Sequence, residues 1–401
     1  MAAKRRSHTS LAPRVITAIF CRILLNTARR FAYPFAPALS RGMGVPITAV
    51  TRLIATNEVP SVFGIFFGPI IDRVGPKRIM FTGLVLLLVG MLTAGMFPFY
   101  WVVWMAFLLA GFGKSLFDPA VQVYASQRVP YNHRGLVIGL LEFSWAGSTL
   151  LGIPLVGILM ARIGWRAPFF ALGCLGILGL LTLALLFPPE RPAPAGHPEK
   201  KISRHYWIVF QERIGLGAIL FGFFISVAND TLFVVYGAWL EKTFHLSVAA
   251  LGLGTIVIGV AELAGEGLTA ALSDRLGLKR AVLSGLTIST ACYAVFPFFD
   301  KGLILALLGL FIVFISFEFT IVTAFSLCTE LLPNSRGTMM ATFLAAAGAG
   351  RVTGAMIGGA VWIAGGIPMT ILVSLLANGL AFFSLLWGLH RWKTSEQGTV
   401  R

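Results

Sequence analysis

The sequence predicts an all-α polytopic membrane protein with twelve transmembrane helices, arranged as two pseudo-symmetric six-helix bundles. Three observations lead to this fold class. Hydrophobic residues make up 57% of the 401-residue chain and charged residues only 12%, with a mean hydropathy of +0.84, and so few charges cannot cover a water-soluble globule of this size. Apolar runs long enough to cross a bilayer recur along the chain. A charged motif also occurs twice, about half a chain length apart.

The apolar runs are each about 20 residues or longer, and each is predicted to be a helix because backbone groups in lipid must find their partners within the segment. We number them span 1 to span 12 in chain order. They cover residues 14–39, 46–71, 77–97, 99–125, 135–161, 166–188, 212–240, 246–272, 279–299, 302–327, 337–364 and 367–390.

Lysine and arginine are distributed unevenly between the two sides of the predicted membrane. Twenty lie on the side of the termini and five on the other side, which predicts that both termini are cytoplasmic. The polar, proline-rich stretch from Pro188 to Arg204 has no apolar period and is typical of a linker. The predicted parts are a cytoplasmic tail (1–13), an N-terminal bundle (14–188), a cytoplasmic linker (189–211), a C-terminal bundle (212–390) and a cytoplasmic tail (391–401).

The repeated motif is a short charged turn between apolar runs. Its first copy, residues 72–78, is repeated at residues 274–280, at a constant offset of 202 residues for the aspartate, glycine, lysine and arginines. Arg134-Gly135 and Arg336-Gly337 repeat at the same offset. An interval of this length is too long for a solenoid unit and fits a duplicated domain.

On these residues the sequence resembles the major facilitator superfamily, over nearly the whole chain. The Gly-x-x-x-Asp-Arg-x-Gly-x-Lys-Arg signature of that superfamily is complete from Gly68 to Arg78, whereas the second copy has Ala270 at its first position. Span 5 carries Gly152-Ile153-Pro154, which is similar to the glycine-proline motif of the superfamily's antiporters. In span 4, Phe107 stands where the drug and proton antiporters have an arginine. The pattern is most similar to that of multidrug and sugar efflux members.

The resemblance implies a cytoplasmic latch that favours the outward-facing state, with the first copy as the working one. Its residues would be Gly68, Asp72, Arg73, Gly75, Lys77, Arg78, Arg134, Asp274, Arg275 and Arg336. For Lys77 and Arg78 the alternative is that they only fix topology. The resemblance also implies a monomeric carrier in the bacterial cytoplasmic (inner) membrane, with spans 1, 4, 7 and 10 lining a central cavity.

Several other classes of protein are disfavoured. The net charge of +16 comes from residues in short loops, unlike the clustered basic face of a nucleic-acid-binding domain, so the expected partners are the lipid bilayer and a small molecule. The cysteines and histidines have no metal or haem spacing, and no phosphate-binding loop or paired catalytic residues occur in the spans. We therefore expect neither an enzyme nor a cofactor, and a proton or other ion gradient as the driving force.

Ionisable residues inside the spans are costly and indicate function. Arg22, Asn26, Arg29 or Arg30, and Tyr33 recur at steps of three or four and form one polar stripe on span 1. Arginine suits bidentate capture of carboxylate or phosphate, which predicts an anionic or zwitterionic organic solute. The candidate substrate-binding residues are Arg22, Asn26, Arg29, Arg30, Tyr33, Lys114 and Asp118.

A competing hypothesis is that these charges pair with one another and are structural. The expected pairs are Arg22 with Asp118 or Glu142, Arg30 with Glu58, and Arg351 with Glu318, Glu262 or Glu266. Trp145 is expected to pack rather than to contact substrate. The glycines of spans 5 and 11 are expected to form the interface between the two halves.

Buried carboxylates supply candidates for proton coupling, because burial disfavours their charged form and a nearby arginine favours it. The candidates are Asp230, Glu318, Glu142 and Glu262. The predicted function is a proton-coupled secondary active transporter that works by alternating access, with export favoured by the resemblance of span 5. The alternatives are an anion uptake or exchange carrier without proton coupling and, more remotely, a non-transporting sensor or an intramembrane enzyme.

Overall fold

A computed structural model describes residues 11–129, 131–188, 209–390 and 392. All regular secondary structure in these residues is helical. The main helices are α1 (Leu11–Arg30), α2 (Ala32–Met43), α3 (Ile47–Val62), α4 (Phe67–Val74), α5 (Pro76–Met96), α6 (Tyr100–Arg128), α7 (Tyr131–Gly147), α8 (Ile153–Ile163), α9 (Ala167–Leu186), α10 (Arg213–Phe233), α11 (Tyr236–Phe244), α12 (Val248–Leu276), α13 (Leu278–Val295), α14 (Leu303–Leu331) and α15 (Arg336–Gly388). Most of the two predicted tails and of the predicted linker lies outside the described residues.

Ten helical segments in the described part of the chain are long and apolar enough to cross a membrane. The longest, α15, has non-helical backbone at Gly365 and Gly366, where predicted spans 11 and 12 meet. The segment formed by α1 and α2 is not among the ten; it carries the arginines predicted to be functional. The all-α membrane fold is confirmed, whereas the count of twelve crossings and the side of the termini stay predictions.

Spans 1 and 7, each predicted as one continuous run, are both broken in the structure. Span 1 is interrupted at Phe31, and span 7 at Val234 and Val235, close to the 202-residue offset of the repeat. Beside the breaks the rings of Tyr33 and Phe233 stack, with 4.3 Å between centroids. The start of α2 and the end of α10 therefore meet inside the molecule.

The N-terminal half (residues 11–188) and the C-terminal half (residues 209–390) contact each other closely on one face. There Arg41 on α2 forms an ion pair with Glu241 on α11, with 2.6 Å between Nη1 and Oε1. A Cβ atom on Gly237 would lie 2.7 Å from the Cα atom of Pro34 in the other half. Backbones from the two halves therefore touch, which seals this face.

The interface prediction for the glycines is correct for only some of them. A Cβ atom on Gly157 would lie 3.2 Å from the Cα atom of Gly252 in the other half, and Gly359 packs against Thr51 of the other half. Gly354 instead packs against α10 of its own half. Small residues allow close approach in both situations, so the sequence alone does not distinguish them.

The signature turns lie on the face opposite the sealed one. Lys77 Nζ donates a hydrogen bond to the carbonyl oxygen of Phe187, and Lys279 Nζ donates one to that of Leu389 at 2.8 Å. The donors and the acceptors are each related by the 202-residue offset. In each half the signature lysine thus satisfies a carbonyl at the C-terminal end of the last helix, where such groups lack helical partners.

This contact gives Lys77 a structural role within its own half, beside its predicted role in a latch. The charged residues of the predicted latch that are exposed are Asp72, Arg73, Arg78, Asp274, Arg275 and Arg336. Gly68 is also exposed, and Gly75 has a positive φ of 95° that a residue with a side chain rarely adopts. The side chain of Arg134 lies outside the described part. The latch itself stays a prediction.

Candidate functional site: a central cavity between the halves

A cavity of about 760 Å³ lies between the two halves. It extends toward the face of the signature turns, where the side chain of Glu142 is 45% exposed. Its charged lining residues from the N-terminal half are Arg22, Arg29, Arg30, Glu58, Lys114, Asp118 and Glu142. Those from the C-terminal half are Asp230, Glu262, Glu266, Glu318 and Arg351.

A charge network joins α1 to α6 and α7 on the N-terminal side of the cavity. Arg22 Nε donates to Asp118 Oδ1 at 3.2 Å, and Arg22 Nη1 donates to Glu142 Oε1 at 3.0 Å. Lys114 Nζ donates to Asp118 and to Asn26. Both partners expected for Arg22 are confirmed. Asn26 is fully buried and supports Lys114 from behind the cavity wall.

The prediction that Arg30 pairs with Glu58 is wrong. Arg29 makes the bidentate ion pair with Glu58 on α3, within its own half. Arg30 instead pairs with Glu262 on α12, in the other half. Consecutive residues on a helix point about 100° apart, so two adjacent arginines face different helices.

Thr149 completes the contact of Arg30 with Glu262. Its hydroxyl accepts a hydrogen bond from Arg30 Nη1 at 2.6 Å and donates one to Glu262 Oε2 at 3.1 Å. Thr149 lies in a π-helical turn, Ser148–Gly152, between α7 and α8. Such turns occur frequently at functional sites. A buried, hydrogen-bonded ion pair therefore joins the two halves beside the cavity.

These pairings change the interpretation of the arginine stripe. Arg22, Arg29, Arg30 and Lys114 all form ion pairs with carboxylates. The hypothesis of internal pairing therefore describes the N-terminal wall better than that of an open, positive anion-binding wall. Removing one partner of a buried pair leaves an uncompensated charge, which gives these residues a structural role whatever else they do.

The C-terminal wall has the opposite character. The expected pairing of Arg351 with a glutamate is wrong, because among the described residues Arg351 forms no ion pair. Asp230, Glu266 and Glu318 likewise form none within that part of the chain, although Asp230 Oδ1 accepts a hydrogen bond from Tyr33 Oη at 3.1 Å. The charges available to a ligand thus come from the C-terminal half.

Glu318 projects from α14 against α12, near Glu262 and Glu266, which lie one helical turn apart. A Cβ atom on Gly265 would lie 2.7 Å from the Cβ atom of Glu318, so this glycine makes room for the carboxylate. The side chain of Glu318 is buried, and Arg30 pairs with Glu262. These three carboxylates form the acidic corner of the cavity.

Trp145, which is expected to pack rather than to contact substrate, lies in the cavity lining. The Arg30 guanidinium is 4.5 Å, Lys114 Nζ 5.3 Å and the Arg351 guanidinium 5.9 Å from a ring centroid of Trp145. The face of an indole attracts cations. The sequence did not indicate these cation contacts, because the three cations come from three other helices.

A cavity between two helical halves, sealed on one face and lined by charges at mid-depth, is the arrangement of a membrane carrier for small solutes. The chain belongs to the Major Facilitator Superfamily, whose family model matches residues 18–220 and again residues 218–399. This membership confirms the resemblance noted from the signature, and with it that the chain is a multi-pass membrane transporter and not an enzyme.

Two relatives are consistent with this membership. The chain is 29% identical over 302 residues to the uncharacterized MFS-type transporter YceJ of Bacillus subtilis (strain 168), covering 75% of this chain and 76% of that one. It is 24% identical over 281 residues to the glycine betaine/proline/ectoine/pipecolic acid transporter OusA of Dickeya dadantii (strain 3937), covering 60% of this chain and 54% of OusA.

Among solved structures, the chain is similar to a bacterial homolog of the human lysosomal transporter Spinster, solved in an inward-facing and unoccupied conformation. The TM-score is 0.77 at 14% sequence identity, over 96% of this chain and 99% of the other. At this identity the likeness shows the fold alone.

Proposed function

We propose that this chain is a secondary active transporter that carries a small organic solute by alternating access, coupled to protons and directed outward. The observation that carries the proposal is the cavity itself. It lies between the halves and is sealed on one face by backbone contacts such as that of Gly237 with Pro34. Access from the sealed face requires the halves to rock against each other around the cavity.

Besides the hydrogen bond from Thr149 to Glu262, three polar contacts between the halves support such a motion. They are Arg30 with Glu262, Tyr33 with Asp230, and Arg41 with Glu241. All three start from α1 or α2, and two of them involve residues of the cavity lining. A ligand or proton that binds in the cavity would therefore compete directly with contacts that hold this conformation.

Proton coupling is supported by the acidic corner. Glu318 is buried without an ion pair among the described residues, and Glu262 and Glu266 add negative charge beside it. Like charges at close range disfavour full ionisation, so a group of this kind is suited to bind a proton. Of the four coupling candidates, Glu318 fits best, because Glu142 and Glu262 are paired with arginines and Asp230 accepts a hydrogen bond from Tyr33.

The test uses purified protein in liposomes that contain a pH-sensitive dye. Solutes of different charge (proline, glycine betaine, tyramine and benzoate) are added in turn, and uptake of the radiolabelled solute is measured in parallel. We expect at least one to move together with protons. In Glu318→Gln the proton movement should be lost while exchange of labelled solute persists, and the surface variant Asp300→Asn should behave as wild type.

Solute movement without any proton movement in the wild-type protein would reject the coupling. Undiminished proton movement in Glu318→Gln would reject the assigned residue. Movement of benzoate alone, with no protons, would favour the alternative of an anion carrier. Arg351 supports that alternative, since it forms no ion pair within the described part of the chain. Outward direction rests on the resemblance of span 5 to the antiporters, since antiport with an inward proton gradient drives the solute out.

We also propose a monomer in the bacterial cytoplasmic membrane with both termini inside.

A further inference from the structure

Two charges of opposite sign, neither in an ion pair among the described residues, face the cavity from neighbouring helices of the C-terminal half. Asp230 is on α10 and only 3% exposed, and Arg351 is on α15. The two helices are in close contact, because a Cβ atom on Gly354 would lie 3.0 Å from the Cβ atom of Asp230. Arg351 precedes Gly354 by three residues and thus lies on the same helix face, about one 5.4 Å turn away.

These two residues interact electrostatically, yet they do not form an ion pair with each other. A buried charge without a partner is unfavourable. A gap longer than an ion pair, with a cation on one side and a carboxylate on the other, fits a ligand that carries both charges a few bonds apart. Each end of that ligand would supply the oppositely charged partner that the protein residue lacks among the described residues.

Aromatic side chains border both ends of this gap. Tyr33 donates a hydrogen bond to Asp230 and stacks on Phe233, which places two rings beside the carboxylate. Trp145 lies beside Arg351, with the guanidinium 5.9 Å from its ring centroid. Rings around a carboxylate favour an ammonium group, and the guanidinium favours a carboxylate.

The other charges in the cavity argue against a purely anionic ligand. Its four remaining cations are already paired with carboxylates. Toward the signature face the lining becomes apolar, with Phe325, Met340 and Leu344. That part of the cavity suits an uncharged, apolar substituent.

We propose that Arg351 and Asp230 form a two-point site for a zwitterionic solute. The solute carboxylate binds the Arg351 guanidinium, its ammonium group binds Asp230 beside Tyr33 and Phe233, and an apolar substituent extends toward the signature face. This site deepens the proposed transport function and rests on it. It leaves Glu318 free for the proton, so solute and proton occupy different residues.

The test compares ligands that differ only in charge, with the purified full-length protein in lipid nanodiscs. Phenylalanine is the zwitterion, phenylalaninamide the cation, and N-acetylphenylalanine the anion; proline and glycine betaine are added as smaller zwitterions. Thermal stabilisation by each ligand is measured over a concentration series, which yields an apparent affinity. We expect at least one zwitterion to stabilise the protein, and to bind at least about 30-fold more tightly than the cation or the anion.

Two variants locate the binding site. Arg351→Gln should weaken binding of the zwitterion by at least about 30-fold, while the cation should bind as tightly as before or more tightly. Asp230→Asn should also weaken binding of the zwitterion, while the anion should bind as tightly as before or more tightly. Arg52→Gln, which removes one exposed positive charge outside the cavity lining, serves as the matched control and should bind as wild type. If a variant does not fold, the ligand series on the wild-type protein still tests the preference for a zwitterion.

Stabilisation by the cation or the anion equal to that by the zwitterion would overturn the two-point site, as would no stabilisation by any of the three zwitterions. Retention of zwitterion binding in both cavity variants would also overturn it. Failure of the proposed function gives a different result: zwitterions bind with the expected preference, but no solute crosses the liposome membrane.

Discussion

Gly237 lies where the two halves touch on the sealed face, and an alanine there should shift the protein away from this conformation. The added Cβ atom would lie 2.7 Å from both the carbonyl carbon and the Cα atom of Pro34. Real Cβ atoms do not approach backbone atoms so closely, and a backbone cannot turn aside as a flexible side chain can. The halves must therefore separate at this point.

The size of the shift follows from the cost of the added methyl group. Inserting a methyl group into a well-packed contact costs about 1 to 3 kcal/mol. If the cost falls only on the conformation with this face sealed, the population open to this face rises by a factor of about 5 to 150 relative to it. Gly217→Ala is the matched control, because a Cβ atom there would lie 2.6 Å from the Cα atom of Gly388, within the same half.

The measurement is the distance between spin labels on the sealed face, by pulsed electron resonance. Labels at Arg162 and Lys301, which are exposed in opposite halves, are attached in a background without the native cysteines. In Gly237→Ala a longer-distance population should grow at the expense of the wild-type distance. An unchanged distribution in a folded Gly237→Ala protein, or the same change in Gly217→Ala, would refute the reasoning.

The ion pairs and the lysine contacts lead to two further predictions. Arg29→Gln leaves Glu58 buried without its ion-pair partner and should destabilise the protein by about 3 to 5 kcal/mol, measured by thermal unfolding. The double variant Arg29→Gln with Glu58→Gln should recover most of this loss. A double variant as unstable as the single one would contradict a mainly structural role for the pair. Lys77→Met and Lys279→Met should each lower the free energy of unfolding by about 0.3 to 1 kcal/mol in the same assay, since each removes a cation from a helix C-terminus. Destabilisation by only one of the two substitutions would contradict the symmetric contact.

The fold followed from the sequence because its signals are local or periodic. Apolar length predicts membrane helices, and the repeat of the signature turn at an offset of 202 residues predicts a duplicated architecture that the two matches of the family model support. The breaks at Phe31 and at Val234 were missed. A short break within an apolar run does not change its length or hydropathy, so neither property reveals it.

The residues that line the cavity were largely predictable from the sequence, whereas the ion pairs that they form were not. Ionisable residues in lipid are costly, so each one inside a span was a valid candidate, and all but Asn26 of the predicted substrate-binding residues line the cavity. Which charge meets which depends on helix rotation and on the packing of distant helices. Glu58 pairs with Arg29 and not with Arg30 as expected, and these two arginines differ by one residue step, or about 100° of rotation around the helix.

The sequence by itself determined that this chain is a helical membrane protein, and its repeats predicted two related halves, because composition, span length and repeats are properties of the chain; its resemblance to the superfamily added the transport function. The tertiary structure decided which charges are available to a solute. It paired the cations of the N-terminal wall with carboxylates and left Arg351, Asp230 and Glu318 without ion pairs among the described residues. Electrostatic pairing depends on distances of a few ångströms between residues far apart in sequence, and only the folded arrangement of the helices fixes those distances.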